Sequence, residues 1–228
     1  MDLKTRPGGT AAAAASKPSL AAPLHSSANG LVSNALKEFL WLISDVHRGR
    51  VLDLGPVWQS TIDFLIERDF RMSFEDLLRS WKEFISTEEE QLRRAPVGEG
   101  GERVSQAKLA EKFLAGALQY PDDAFCGVLV WDLFDYFDSE LIPRVIDRLF
   151  TILHPGGAVL ALFHGRPPER FHRYRILDEL NIELLPGPTL AIHARVFQNR
   201  EILDMFGKFR SSKTFVGRDR LREGLFLK

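Results

Sequence analysis

The sequence Arg-Val-Leu-Asp-Leu-Gly occupies residues 50–55 of this 228-residue chain. Closely spaced apolar residues that lead into a carboxylate and a glycine are typical of a buried parallel strand that ends in a tight turn. A second segment, His-Pro-Gly-Gly at 154–157, leads into the apolar run Ala-Val-Leu-Ala-Leu-Phe at 158–163. The two segments therefore predict two buried strands of one sheet.

Helical and strand-like segments alternate along the rest of the chain. Apolar residues at helical spacing predict helices at 31–46, 59–68, 77–92, 104–118 (a helix or a helix-strand unit), 141–153 and 199–206. Apolar runs predict strands at 51–54, 70–74, 126–131, 158–163, 209–216 and 221–227, and a hairpin with arms 182–185 and 190–196. This order predicts a doubly wound, mostly parallel α/β sheet with helices on both faces. The last two strands are joined by a short loop, so they predict an antiparallel pair that closes the sheet.

The composition narrows the class of protein. With 45% hydrophobic and 27% charged residues, the chain resembles a soluble globular protein. Residues 1–30 are rich in Ala, Ser, Pro and Gly and predict a disordered tail ahead of one domain at 31–228. The 30 basic and 31 acidic residues give no net field that would attract nucleic acid or an anionic membrane.

The single cysteine and the lengths of the apolar runs indicate the cellular compartment in which the protein resides. Cys126 lies in an apolar run, which predicts a buried, inert thiol and excludes an internal disulfide. No stretch reaches the roughly 20 apolar residues that a bilayer span needs. These features predict a cytoplasmic protein.

Acidic residues follow the first two predicted strands. Asp53 and Gly55 end the first strand, and Asp76 ends the second. In an open α/β sheet, ligands bind beyond the carboxyl ends of the strands. A carboxylate in the position of Asp76 could accept hydrogen bonds from both hydroxyls of a ribose.

These residues resemble the class I (Rossmann-like) S-adenosylmethionine-dependent methyltransferases. Residues 51–55 are similar to the first motif of that family, and Asp76, with Glu75 beside it, matches the ribose-binding acid. The resemblance covers about residues 31–228 and implies a seven-stranded sheet with S-adenosylmethionine as cofactor.

Three later segments also resemble this family. Pro-Asp-Asp-Ala-Phe at 121–125 is similar to the segment that leads into the fourth strand, with Cys126 in place of the usual Asp. Trp131 and Asp132 match the polar end of that strand. Leu-His-Pro-Gly-Gly at 153–157 is similar to the family's Leu-Lys-Pro-Gly-Gly turn.

The resemblance implies transfer of a methyl group to an unidentified acceptor, a small molecule or a macromolecule, without a metal ion. It places these residues at the cofactor: Asp53, Gly55, Pro56, Trp58, Glu75, Asp76, Phe125, Trp131 and Asp132. Asp132 is the candidate catalytic residue, as a polar contact or base. The alternative role of Asp132 is the N-cap of a helix.

The loop after Gly55 departs from the family pattern. Val57 and Gln59 replace two glycines, and Pro56 removes an N–H donor. Leu114 stands near the position of the acid that contacts adenine. The loop therefore indicates either a reshaped cofactor pocket or a catalytically inactive, methyltransferase-like binding or scaffold protein. A nicotinamide-dependent dehydrogenase is disfavoured, because the glycines that pyrophosphate approach requires are missing.

Other polar residues point to no specific chemistry. His164 could act as an acid or base but is more typical of a surface residue, and His172 forms no recognisable metal spacing with any acid. Arginines interleaved with aromatic residues at 166–175 could contact RNA or phosphate, although a solvated helical face is the favoured interpretation. The sequence thus predicts no metal site and leaves the oligomeric state open.

Overall fold

The computed structural model describes residues 30–94, 105–189, 194–217 and 221–228. The predicted tail, apart from Gly30, lies outside the described residues. The helices are α1 (Asn34–Ile43), α2 (Gln59–Ile66), α3 (Leu77–Arg94), α4 (Gln106–Leu114), α5 (Leu141–Ile152) and α6 (Asn199–Met205). The strands are β1 (Gly30–Val32), β2 (Arg50–Asp53), β3 (Arg71–Phe74), β4 (Phe125–Trp131), β5 (Leu153–His164), β6 (Arg170–Ile176), β7 (Asn181–Thr189), β8 (Ser211–Val216) and β9 (Leu221–Leu227). Among the helices in these ranges, none has the length and apolar character that a membrane span requires.

The main sheet has the strand order β3-β2-β4-β5-β9-β8. The pairs β2–β3, β2–β4 and β4–β5 are parallel, whereas β9 runs antiparallel to both β5 and β8. The prediction of a mostly parallel α/β sheet is confirmed. Six strands form this sheet in the described ranges, where seven were predicted, and the segment 104–118 contributes the helix α4.

Both faces of the sheet are covered by helices. Along β4, Val128 and Val130 pack in a cluster with α3, α4 and α5, whereas Leu129 and Trp131 pack in a second cluster with α1 and α2. Successive strand residues point to opposite faces, so a strand covered on both faces is apolar throughout. The strand order reverses between β2 and β4, because the chain passes from β2 outward to β3 and then returns.

A second, three-stranded sheet has the order β1-β7-β6 and is antiparallel throughout. Tyr174 and Ile176 of β6 are buried, and the N–H of Ile176 donates to Oγ1 of Thr61 in α2 at 3.0 Å. This small sheet is therefore fixed against α2, beside the carboxyl end of β2.

The sequence prediction was wrong for 170–176, which form a strand and not a helical face. The buried residues Tyr174 and Ile176 alternate with the exposed Arg173 and the half-buried Arg175, which pairs with Glu183. This period of two is the pattern of a half-buried strand. Arginines on the solvent side of the strand had suggested a helix.

The predicted hairpin also differs from the structure. β7 runs through Pro-Gly-Pro at 186–188, and the turn lies earlier, at Asp178. Oδ1 of Asp178 accepts the backbone N–H of Leu180 and Asn181, a local bond that favours turns. Of the predicted second arm, residues 190–193 lie outside the described residues.

The predicted helix at 31–46 begins later than expected. Residues 30–32 form β1, and the side chain of Ser33 accepts the N–H of Leu36 at 3.0 Å, which caps α1. The buried thiol of Cys126 agrees with the prediction, and burial raises the pKa of this thiol to about 11.

Candidate functional site

Acidic side chains gather where the strand order of the main sheet reverses. Asp53 is the last residue of β2, Asp132 directly follows β4, and Glu75 and Asp76 follow β3. Parallel strands end at the same edge of a sheet, and ligands of doubly wound sheets bind there. The structure thus brings these predicted residues to one edge.

Asp53 is buried beneath this edge and makes two hydrogen bonds. Its Oδ1 accepts the backbone N–H of Gly55 at 2.9 Å and the indole N–H of Trp131 at 2.7 Å. The side chain is 2% exposed, and burial raises the pKa of Asp53 to about 6, although both hydrogen bonds oppose the increase. Asp53 therefore anchors the loop and the indole from inside the protein.

The indole of Trp131 occupies the space in front of Gly55. A Cβ added at Gly55 would lie 2.7 Å from Cδ1 of Trp131. The indole also stacks on Tyr174 of β6, with ring centroids 5.5 Å apart and an angle of 5° between the planes. Trp131 also has a φ of 55°, in the left-handed region that is strained for a bulky residue.

Residues 171–174 of β6 cover this edge from outside. The cavity that remains between them, Gly55, Asp76 and Asp132 has a volume of about 20 Å³. The carboxylates have the chemistry that S-adenosylmethionine requires, since they can accept bonds from its amino group and its ribose hydroxyls. The space does not fit the cofactor in this conformation, because Trp131 and β6 fill it.

The two acidic residues that follow β3 also accept hydrogen bonds from backbone N–H groups of the protein. Oε1 of Glu75 accepts the N–H of Leu118 at 3.0 Å. Oδ1 of Asp76 accepts the N–H of Arg79 at 3.1 Å, in the first turn of α3. Asp76 lines the cavity, so its other oxygen remains a candidate ligand atom.

The remaining predicted cofactor residues do not all reach the cleft. Pro56 lines the cavity, and Trp58 is the half-buried residue that precedes α2. Phe125 is the first residue of β4 and packs edge-on against Tyr120, so it lies at the strand end opposite Trp131. The strand therefore places Phe125 at the other edge of the sheet, away from Gly55 and Asp76.

Asp132 belongs to a buried polar cluster beside the cleft. Its Oδ2 accepts the hydroxyls of Tyr136 at 3.2 Å and Tyr174 at 3.0 Å, and lies 3.8 Å from Nε2 of His164. Asp132 occupies the N-cap position of the following 3-10 turn (Leu133–Tyr136), but its carboxylate makes no capping hydrogen bond there. Burial raises the pKa of Asp132 to about 7, and His164 opposes this increase.

Asp135 and the two histidines complete the cluster. Oδ2 of Asp135 accepts the backbone N–H of His164 at 2.7 Å and lies 2.8 Å from its Nδ1. Burial raises the pKa of Asp135 well above its usual value and lowers the pKa of His164 and of His172. The ring centroids of His164 and His172 are 5.7 Å apart.

This cluster was not predicted from the sequence. His164 was predicted to be a surface residue, but its side chain is buried. His172 was predicted to lie on a helical face, whereas β6 carries that residue to the end of β5. The available signal in the sequence was the alternation of Tyr174 and Ile176 with Arg173 and Arg175.

Comparisons with known proteins complete the description. No protein-family model matches the sequence, and no curated protein matches it. Similar solved structures include a methyltransferase dependent on S-adenosylmethionine from Methanosarcina mazei, with 14% identity, 86% of this chain and 98% of that chain covered, and a TM-score of 0.46.

Two further structures are similar to a comparable degree. One is the 1,6-didemethyltoxoflavin-N1-methyltransferase of Burkholderia thailandensis, with S-adenosylhomocysteine bound, at 13% identity, 85% and 76% coverage and a TM-score of 0.45. The other is an S-adenosylmethionine-dependent methyltransferase from Mesorhizobium loti, at 16% identity, 84% and 98% coverage and a TM-score of 0.44. Such values carry no argument about ligand or activity. Methyltransferases of the class predicted from the sequence are thus among the solved structures to which this chain is similar.

Proposed function

We propose that this chain is an S-adenosylmethionine-dependent methyltransferase whose cofactor cleft is closed in the conformation described above. The observation that carries the proposal is the meeting of Gly55, Asp76 and Asp132 around one cavity where the strand order reverses. Asp76 is the proposed ribose ligand, because a carboxylate there can accept bonds from vicinal hydroxyls. Gly55 lies where the methionine part of the cofactor would approach.

The methyl acceptor is unidentified, and we propose that it binds on the side of Asp132 where His164 lies. His164, which lies 3.8 Å from Asp132, lines a cavity of about 410 Å³ that also borders the loop 165–169. A bound cofactor would supply an activated methyl group, and this cavity has the volume of a small-molecule site.

Trp131 is the residue that must move for the cofactor to bind. Its backbone lies in the left-handed region while the indole bonds to Asp53 and stacks on Tyr174. Strain of this kind is frequent at sites with two conformations. Rotation of the indole away from Gly55 would open the part of the cleft next to the glycine.

Titration of S-adenosylhomocysteine by calorimetry tests the proposal. We expect the wild-type protein to bind, and Trp131→Ala to bind about tenfold more tightly, because the indole no longer competes for the cleft. Trp41→Ala is a matched control, since Trp41 is 71% exposed and does not line the cleft; the affinity of this variant should equal that of the wild type. If neither the wild type nor Trp131→Ala binds S-adenosylhomocysteine at millimolar concentration, the proposed methyltransferase function is excluded.

A second candidate function is a methyltransferase-like binding protein that uses no cofactor. Two contacts of Trp131 favour it. The indole N–H donates to Oδ1 of Asp53, and the ring occupies the space in front of Gly55. In that case Trp131 is a permanent part of the core. Its replacement would lower stability and produce no affinity for S-adenosylhomocysteine.

Asp76→Ala should weaken S-adenosylhomocysteine binding by about 1–3 kcal/mol, through loss of charge-assisted bonds to the ribose. The same change removes the bond to the N–H of Arg79, so it also destabilises α3. Asp76→Ser separates the two effects, because a serine hydroxyl can cap the helix but carries no charge. We expect Asp76→Ser to recover the lost stability and to remain weak in binding, and wild-type affinity in either variant would show that Asp76 is not the ribose ligand.

A further inference from the structure

Three potential metal ligands converge at the border between the cleft and the larger cavity. They are the carboxylate of Asp132, the imidazole of His164 and the imidazole of His172, and their ligand atoms all lie within 4.8 Å of one another. Nε2 of His164 and Nδ1 of His172 are buried and have no hydrogen-bond partner among the described residues. Buried polar atoms without partners are uncommon, so each of these two nitrogens calls for an explanation.

The protonation of His164 follows from its neighbours. Nδ1 lies 2.8 Å from the carboxylate of Asp135, so this nitrogen carries the proton and donates it in a hydrogen bond. In the neutral ring, Nε2 is then an acceptor with its lone pair directed at the cluster. When Asp132 is ionised, it and His164 present acceptors to each other across 3.8 Å, and no side chain of the described ranges donates to Nε2 of His164.

We propose that Asp132, His164 and His172 bind a divalent transition-metal ion, with Asp135 as the positioning residue behind His164. A metal-ligating histidine usually donates its second N–H to a carboxylate, and Asp135 occupies that position. Two imidazoles and one carboxylate are a ligand set for zinc and for other first-row metals. This inference does not rest on cofactor binding, because it uses none of the proposed ribose or methionine contacts.

The three ligand atoms are slightly farther apart than ligand atoms around a bound zinc ion would be. Ligand atoms about 2.1 Å from a tetrahedral zinc ion lie about 3.4 Å apart. The separation of 3.8 Å between Asp132 and His164 is near this value, and the upper limit of 4.8 Å requires a small rotation of a side chain. His172 is half-buried on an edge strand, so its imidazole has room to turn.

Access to the proposed ion is provided by the cavity of about 410 Å³. His164 and His172 both line it, so the coordination positions that the protein leaves open would face this space. A site with three protein ligands keeps at least one such position for water or for another ligand.

A trapped water is the main competing explanation. One water could donate a hydrogen to each of the two nitrogens, because Oδ2 of Asp132 already accepts two tyrosine hydroxyls. The two explanations differ in the metal titration: a trapped water predicts no saturable uptake of a divalent ion, whereas a metal site predicts uptake of one equivalent.

The test is metal binding by the full chain after treatment with a chelator and without cofactor. We expect the wild type to bind one equivalent of Zn²⁺ by calorimetry, and one equivalent of Co²⁺ to give visible absorption bands of a protein-bound site. His172→Ala should lose at least about tenfold in affinity, and Asp135→Asn about 10- to 100-fold. His47→Ala is the matched control, because His47 is an exposed histidine that pairs with Asp69, and it should bind metal like the wild type.

The outcomes separate this inference from the proposed function. No saturable uptake of Zn²⁺ or Co²⁺ by the wild type overturns the inference, and so does a folded His172→Ala variant that binds as tightly as the wild type. Circular dichroism and thermal unfolding establish that the variant is folded. Neither of these two negative results for metal binding would change the expected outcome of the S-adenosylhomocysteine titration.

Discussion

Replacement of Asp53 by asparagine is expected to remove about 3 kcal/mol of pH dependence from the free energy of unfolding. Asp53 is buried, and burial raises its pKa from 3.8 to about 6. A shift of about two units corresponds to roughly 3 kcal/mol at 1.36 kcal/mol per unit. Asparagine is nearly isosteric, and its carbonyl oxygen can still accept the N–H groups of Gly55 and Trp131.

The sign follows from the direction of the shift. The folded state holds the proton of Asp53 more tightly than the unfolded state does. The contribution of Asp53 to stability is therefore complete below about pH 4 and is lost as the pH rises through about 6. The wild type should lose stability relative to Asp53→Asn over this interval, and the difference should stay constant at higher pH.

Urea unfolding of both proteins at several pH values between 4 and 8 measures this difference. Asp63→Asn serves as the control, because Asp63 is an exposed carboxylate in α2. Its stability should follow that of the wild type across the range. A constant difference between Asp53→Asn and the wild type from pH 4 to 8 would show that Asp53 is not raised in pKa.

The sequence predicted the sheet because its central strands are recognisable locally. β4 and β5 are apolar runs, since helices cover both faces of the sheet. The carboxylates of Asp53, Asp76 and Asp132 reach one edge because parallel strands end together. Such features depend on periodicity and order, which a single sequence contains.

The position of the Trp131 side chain, which fills the cleft, could not be predicted in this way. The hydrogen bond between Trp131 and Asp53 joins residues 78 positions apart, and the stack on Tyr174 depends on the path of β6. Asp132 and Asp135 meet His164 and His172 only because β6 folds back over the end of β5. Side-chain partners at such separations follow from tertiary packing, which no local pattern contains.

Gly55→Ala is expected to destabilise the protein by about 3 kcal/mol. Gly156 is the only glycine with a positive φ in the described ranges, so the backbone at Gly55 would accept alanine. The obstacle is space, because the new Cβ would lie 2.7 Å from Cδ1 and 2.9 Å from Nε1 of Trp131. The indole cannot retreat freely, since it stacks on Tyr174 and its N–H bonds to Asp53. Overpacking costs about 1–3 kcal/mol, and the displaced indole also loses its bond to Asp53, worth about 1 kcal/mol.

A double-mutant cycle with Trp131→Ala isolates this contact. In the Trp131→Ala background the indole is absent, so Gly55→Ala should cost less than about 0.5 kcal/mol. Gly116→Ala is the control, because the nearest atom to its added Cβ would be 3.7 Å away, an ordinary contact. Denaturant unfolding of the four proteins gives the coupling energy. An equal cost of Gly55→Ala in both backgrounds would mean that the indole is not what the glycine accommodates. A coupling of about 2–3 kcal/mol would instead place Trp131 against Gly55 in solution, where it must be displaced before any cofactor can approach.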